Sequence, residues 1–223
     1  ILSQIENVTT NVLNSNKHPI FLGGDGTVTL GILRSLHKKY GQIALIHFDA
    51  HCDTWETTYD STIGHLSWLR TAINENLIDT KRTISIGIRG PATLLANNFL
   101  MDSDGTVFTA RYAETNLEAV ISNILGRVGN SAVYMTFDVS AIDPCYAPGV
   151  GLPMIGGLST SWVMACLEEL RSLNWVGMDI VEVSPGYDHS NITALTAATV
   201  AWTYLCMLVV KNLYRSYDTN ELT

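Results

Sequence analysis

The chain has 223 residues, 47% of them hydrophobic and 15% charged, so it can bury a large core and is not a disordered chain. That length suits a single α/β domain over residues 1–223. A formal net charge of −8 argues against nucleic acid as a partner, because phosphates need a basic face, and is compatible with a cationic ligand.

Short apolar runs alternate with amphipathic ones along the chain. Residues 19–24, PIFLGG, read as a strand, and residues 29–40, TLGILRSLHKKY, as a helix. Residues 43–51, IALIHFDAH, read as a strand buried on both faces. A helix is expected over 66–78 and a strand over 83–89. Residues 90–116 are the least regular stretch, expected to hold a surface loop and a short strand at TVFTA. Residues 117–128 form a helix with Leu117, Val120, Ile121 and Ile124 on one face. A strand follows at 132–139, then a helix at 160–173 that Ser159 or Thr160 caps, then a strand at 175–183. Residues 192–210, ITALTAATVAWTYLCMLVV, are uncharged and almost long enough to span a bilayer. Their place after a strand and helix alternation predicts instead a buried helix packed on a sheet, with no membrane partner. Near-continuous apolar strands between helices predict a parallel sheet covered on both faces. Cys52, Cys145, Cys166 and Cys206 show no CxxC spacing and read as reduced thiols of a cytoplasmic protein.

Acidic residues gather at the ends of these strands, where open parallel sheets build their sites. Asp25 follows the first strand. Asp49, His51 and Asp53 follow the second, in DAHCD. Asp138 ends a third, with Asp143 beyond it, and Asp179 and Glu182 lie in or after the last. Carboxylates at the ends of apolar strands are costly unless something pairs their charge, and a metal ion is the simplest partner. The alternation in DAHCD projects two carboxylates and an imidazole to one side, a set better suited to Mn, Fe or Zn than to Mg. The plainer reading of DAHCD is a set of loop residues that cap helices and form ion pairs. Cys52 falls at the intervening position and points away. His47 reads as a satisfied core histidine, Asp143 as a loop anchor, and His189 as a residue near a pocket rim. Asp179 is expected to hydrogen-bond backbone or a metal-site histidine. Trp55, Trp68 and Trp162 read as packing or subunit contacts.

With GGD, DAHCD, FDVSAIDPCYAPGVGLP, GGLS and MDIVEVSPGYDHSNITALTAAT in this order, the chain resembles the ureohydrolase (arginase/agmatinase) family, most of all its agmatinase branch, over residues 19–208. The resemblance implies a three-layer α/β/α sandwich with a parallel central sheet, the arginase-like fold. It implies a hydrolase acting on C–N bonds of linear amidines, with a binuclear Mn2+ site. The substrate would be a small cationic guanidino compound such as agmatine, cleaved to urea and an amine. A homo-oligomer, trimer or hexamer, is expected, and the family's N-terminal segment is expected to be lacking. By motif, the metal ligands are Asp49, His51, Asp53 and Asp138, with Asp49 and Asp138 bridging. Asp53 would also hold the attacking hydroxide, His65 would shuttle a proton to the leaving amine, and Glu182 would pair with the guanidinium, so that His65 and Glu182 contact substrate.

Two ligand positions depart from the family pattern. GGDH is here GGDG, with Gly26, and DxD is here DVS, with Ser140. Leu66, Val150 and Leu152 replace other family residues nearby. One ligand is therefore missing from each metal, and one ion or none becomes an alternative. With it stand a weakened or inactive homologue serving as scaffold or regulatory subunit, and an altered enzyme acting on a formimino compound. Restoring Gly26→His and Ser140→Asp together is expected to rescue Mn2+ binding.

Overall fold

The structure is a computed structural model describing residues 1–56 and 63–220, with side chains of the last helix described to Lys211. The elements in chain order are α1 (Leu2–Asn14), β1 (Ile20–Leu22), α2 (Thr27–Tyr40), β2 (Ile43–Phe48), α3 (Trp68–Asn74), β3 (Ile78–Ile88), α4 (Leu94–Asp102), β4 (Thr106–Thr109), α5 (Ala110–Thr115), α6 (Leu117–Val128), β5 (Ala132–Asp138), α7 (Thr160–Glu169), β6 (Asn174–Val181) and α8 (Ile192–Asn220). Six parallel strands form one sheet in the order β1-β6-β5-β2-β3-β4.

Strand periodicity divides the core. Ala44, Ile46 and Phe48 of β2 pack with α5, α6, α7 and α8 on one face. Ile43 and Leu45 face the other way, against α2, α3 and Leu13 of α1. Every residue of β2 is buried, as expected of a central strand covered on both sides. The expected three-layer α/β/α architecture is present.

Several local expectations need correction. The helix expected over 66–78 ends at Asn74, because the chain turns through Asn76 at φ 55° and enters β3 at Ile78. The stretch 90–116 holds two helices besides β4. Thr93 caps α4 by accepting from the Ala96 N–H, and Thr109 caps α5 by accepting from the Tyr112 N–H. α1 was not foreseen. Ser159 caps α7, accepting from the Trp162 N–H at 3.2 Å. α8 is not buried all round: Ala197, Val200, Tyr204 and Met207 enter the core, while Leu195, Trp202, Leu205 and Val209 are exposed. By length and composition alone α8 can cross a bilayer, yet one face of it belongs to the sheet core.

Candidate functional site

The sheet order explains why distant motifs meet. β1, β6, β5 and β2 are successive neighbours, with Leu22 opposite Ile180, Asp138 opposite Val181 and Phe48 opposite Phe137. Their carboxyl ends deliver Gly26, Glu182, Asp138 and Asp49 to one mouth. A pocket of about 270 Å³, open solvent included, is lined there by His51, Asp53, His65, Leu66, Asp138, Ser140, Val150, Gly151, Leu152 and Glu182. All six residues assigned to the site by sequence, Asp49, His51, Asp53, His65, Asp138 and Glu182, thus converge, with Asp49 buried beneath the pocket.

Asp49 is the hub. Its Oδ1 accepts from the His51 N–H at 2.8 Å and the Ser140 hydroxyl at 2.9 Å, and lies 3.2 Å from His51 Nδ1. Its Oδ2 lies 3.1 Å from His47 Nε2, and His47 Nδ1 lies 2.9 Å from Ser85 Oγ. His47 is therefore a satisfied core histidine, but it also orients Asp49. Burial works to raise the Asp49 carboxyl, yet the hydrogen bonds and charge of His47 and His51 hold it below its ordinary value.

Asp53 and Asp138 go the other way. Burial, then the charges of Asp49 and Asp138, push Asp53 well up. Burial, then the charge of Asp49, pushes Asp138 well up, although Oδ1 accepts the Ser140 N–H at 2.7 Å. Three buried carboxylates this close require protons or a cation. Ligand atoms of Asp49, His51 and Asp138 lie within 4.8 Å of one another, as do those of His47, Asp49 and Asp53.

Glu182 and His65 sit on the rim. Glu182 Oε1 accepts from the Gly26 N–H at 3.2 Å and lies 3.4 Å from His65 Nδ1. Burial pushes its carboxyl up, against the Gly26 N–H and the charge of His65. Asp53 and Glu182 both adopt left-handed backbone, φ 53° and 65°, strain that their surroundings hold in place.

Two residues at this mouth were not anticipated. Trp68, 1% exposed, donates from Nε1 to Asp53 Oδ2 at 2.6 Å and stands edge-on to His47. Arg89 lies under the loop after β5 and donates to the carbonyls of Ser140 and Met154 at 2.8 and 2.6 Å and of Gly87 at 3.0 Å. Nothing local in the sequence pairs Trp68 with Asp53. Gly87, at φ 103°, lets β3 pass close: a Cβ there would lie 2.7 Å from the Asp49 carbonyl oxygen.

Other expectations resolve differently. Asp25 does not join the cluster; its Oδ1 accepts from the Thr27 N–H at 2.9 Å and from the Thr27 hydroxyl, fixing the start of α2. Among the described residues, Asp179 hydrogen-bonds neither backbone nor a histidine. It accepts from the hydroxyls of Thr136, Tyr134 and Thr29 at 2.6, 2.9 and 3.0 Å, and burial pushes it up to about 6 against those bonds. Asp143 anchors its loop as expected, accepting from the N–H groups of Cys145, Gly156 and Gly157. Cys52 packs with Ile88 and Ala96, away from the site, and His189 is exposed without lining the pocket.

Comparison with known proteins places the chain among relatives. The model of the Arginase family matches residues 1–207. The chain is 41% identical to an agmatinase of Cronobacter sakazakii over 201 residues, covering 90% of this chain and 63% of that protein. It is 40% identical to an agmatinase of Chromobacterium violaceum over 208 residues, covering 92% and 62%. It thus spans about three-fifths of the length of these curated relatives. Among solved structures, a hypothetical agmatinase from Burkholderia thailandensis superposes with TM-score 0.84 at 37% identity, covering 92% of this chain and 63% of that one. Proclavaminate amidino hydrolase from Streptomyces clavuligerus gives 0.87 at 32%, covering 94% and 70%. Fold, strand-end carboxylates and a family match over nearly the whole sequence agree: the chain belongs to the arginase family.

Proposed function

We propose that the chain hydrolyses a C–N bond of a small cationic guanidino compound, agmatine or a close analogue, to urea and an amine, with Mn2+ as its metal. The observation that carries this is the Glu182–His65 pair, 3.4 Å apart, on the rim of a pocket floored by buried carboxylates. Relatives whose names speak of agmatine and of amidino hydrolysis support the same chemistry.

Asp49, His51 and Asp138 would hold a divalent cation, an oxygen and nitrogen donor set that suits Mn2+. When bound, such a cation supplies Lewis acidity and a water that is nucleophilic near neutral pH. Glu182 offers the substrate cation a carboxylate and orients it over the cluster. Departure of the amine needs a proton on its nitrogen, and the His65 imidazole, half-exposed beside Glu182, takes one from solvent and delivers it. Val150 and Leu152 give the pocket an apolar wall for a methylene chain.

A catalytically silent homologue is the second reading, favoured by Gly26 and Ser140, which offer neither imidazole nor carboxylate. Exposed apolar residues on α8 support a homo-oligomer, trimer or hexamer, and four free cysteines support a cytoplasmic setting. The test is release of urea from agmatine and arginine, and of the amide from a formimino substrate, by Mn2+-loaded protein. Agmatine turnover that chelation and Asp138→Asn both abolish is the expected result. Metal binding without turnover on any substrate assigns the chain to the silent reading.

A further inference from the structure

We propose that the centre seats one divalent cation, among Asp49, His51 and Asp138, and that the Trp68 indole occupies the place of a second. The inference deepens the proposed function and rests on it for the choice of metal, not for the geometry. Of the two groups of converging ligand atoms among the described residues, the one formed by His47, Asp49 and Asp53 is closed. His47 commits Nδ1 to Ser85 and Nε2 to Asp49. Asp53 Oδ2 receives the Trp68 N–H at 2.6 Å, and an indole nitrogen only donates, with no lone pair to offer a metal.

The indole is locked in that position. Trp68 is 1% exposed and meets the His47 ring at 5.3 Å and 86°. Its other boundary is Gly26. A Cβ at residue 26 would lie 2.8 Å from Trp68 Nε1, 2.9 Å from its Cδ1 and 3.3 Å from the His65 carbonyl oxygen. Gly26 has φ −57°, which any residue can adopt, so space rather than backbone conformation excludes a side chain there. An imidazole at position 26 and the indole of Trp68 therefore exclude each other.

Ser140, the other departure, follows the same logic. Its hydroxyl donates to Asp49 Oδ1 at 2.9 Å and accepts from the Ala50 N–H at 3.3 Å. Beside Gly26 the Trp68 N–H points at Asp53, and at position 140 the Ser140 hydroxyl points at Asp49, on the side of the retained cation. The indole N–H supplies partial positive charge to Asp53, where a second cation would otherwise be needed. The expectation that Gly26→His with Ser140→Asp restores binding is thus revised, because Trp68 blocks the histidine.

The test is metal stoichiometry. The full chain is saturated with Mn2+ and desalted, and its manganese is counted by elemental analysis and read by electron paramagnetic resonance. The expected result is one ion per chain with the spectrum of an isolated Mn2+. Asp138→Asn should weaken binding by about tenfold or more. Gly26→His with Ser140→Asp should stay at one ion, and adding Trp68→Leu should admit a second. Two ions per chain in the unaltered protein, an exchange-coupled pair, or no bound ion overturns the proposal, and this readout stands even if a variant fails to fold. One ion without urea release leaves the inference standing and removes the hydrolase reading; two ions with urea release does the reverse.

Discussion

Glu182 Oε1 meets the Gly26 N–H and His65 Nδ1, and the proposed cationic substrate would approach the same carboxylate. Glu182→Gln keeps an acceptor for Gly26 and removes the charge. Loss of a charged hydrogen bond of about 1.5–3 kcal/mol predicts a fall in kcat/KM of about 10- to 100-fold, mostly through KM, in steady-state urea assays. Trp68→Phe removes the donor to Asp53 and keeps most of the packing. It should lower the stability of the metal-free protein by about 1–3 kcal/mol in urea titration, and an unchanged midpoint would contradict the role given to the indole. Asp49, His51 and Asp53 were legible because DAHCD is a local pattern whose chemistry is carried by residue type, whereas the roles of Asp138, His65 and Glu182 came from the family resemblance. Trp68 was not, because its partner Asp53 and its boundary Gly26 meet it only through the turn before α3 and the start of α2. A buried tryptophan reads from sequence as packing, and only the folded chain shows where its N–H points.

α8 separates two kinds of apolar residue that composition cannot tell apart. Met207 is buried in the sheet core, whereas Leu205 is 44% exposed. Met207→Ala should cost about 2–5 kcal/mol, and Leu205→Ala about 0.5 kcal/mol or less in a monomeric state. Equal losses in chemical denaturation would mean that the outer face is covered. The buried strands β2, β3, β5 and β6 were readable as continuous apolar runs, and α2, α6 and α7 by helical spacing. α4 and α5 escaped because they are short, lie in a stretch rich in Asn and Thr, and start at threonine caps whose role depends on backbone geometry. The end of α3 escaped because a left-handed asparagine, not a Gly or Pro, stops it.

Across the whole molecule the buried acids set a pH dependence. Asp53, Asp138 and Asp179 have folded pKa values above the ordinary 3.8, with Asp179 at about 6. Below 3.8 these groups are protonated folded or unfolded and cost nothing. As pH rises through the folded values the native state must ionise them without solvent, so metal-free stability falls. Asp179 alone accounts for about 3 kcal/mol, and Asp179→Asn should flatten that part of the profile. Asp49, held low by its histidines, acts oppositely and loses its contribution in acid. The proposed Mn2+ would bind the ionised carboxylates, so the Tm gap between metal-loaded and metal-free protein should widen from about pH 5 to about pH 7.5. A gap that narrows would count against metal at this cluster. The parallel sheet was legible as a whole because both-face burial leaves uninterrupted apolar strands, and the order of those strands is what brings the motifs together. Anomalous scattering from crystals grown with Mn2+ tests the central claim most directly. One peak among Asp49, His51 and Asp138, with the Trp68 indole still on Asp53, is the predicted result. A second peak beside Asp53, with the indole displaced, would contradict it.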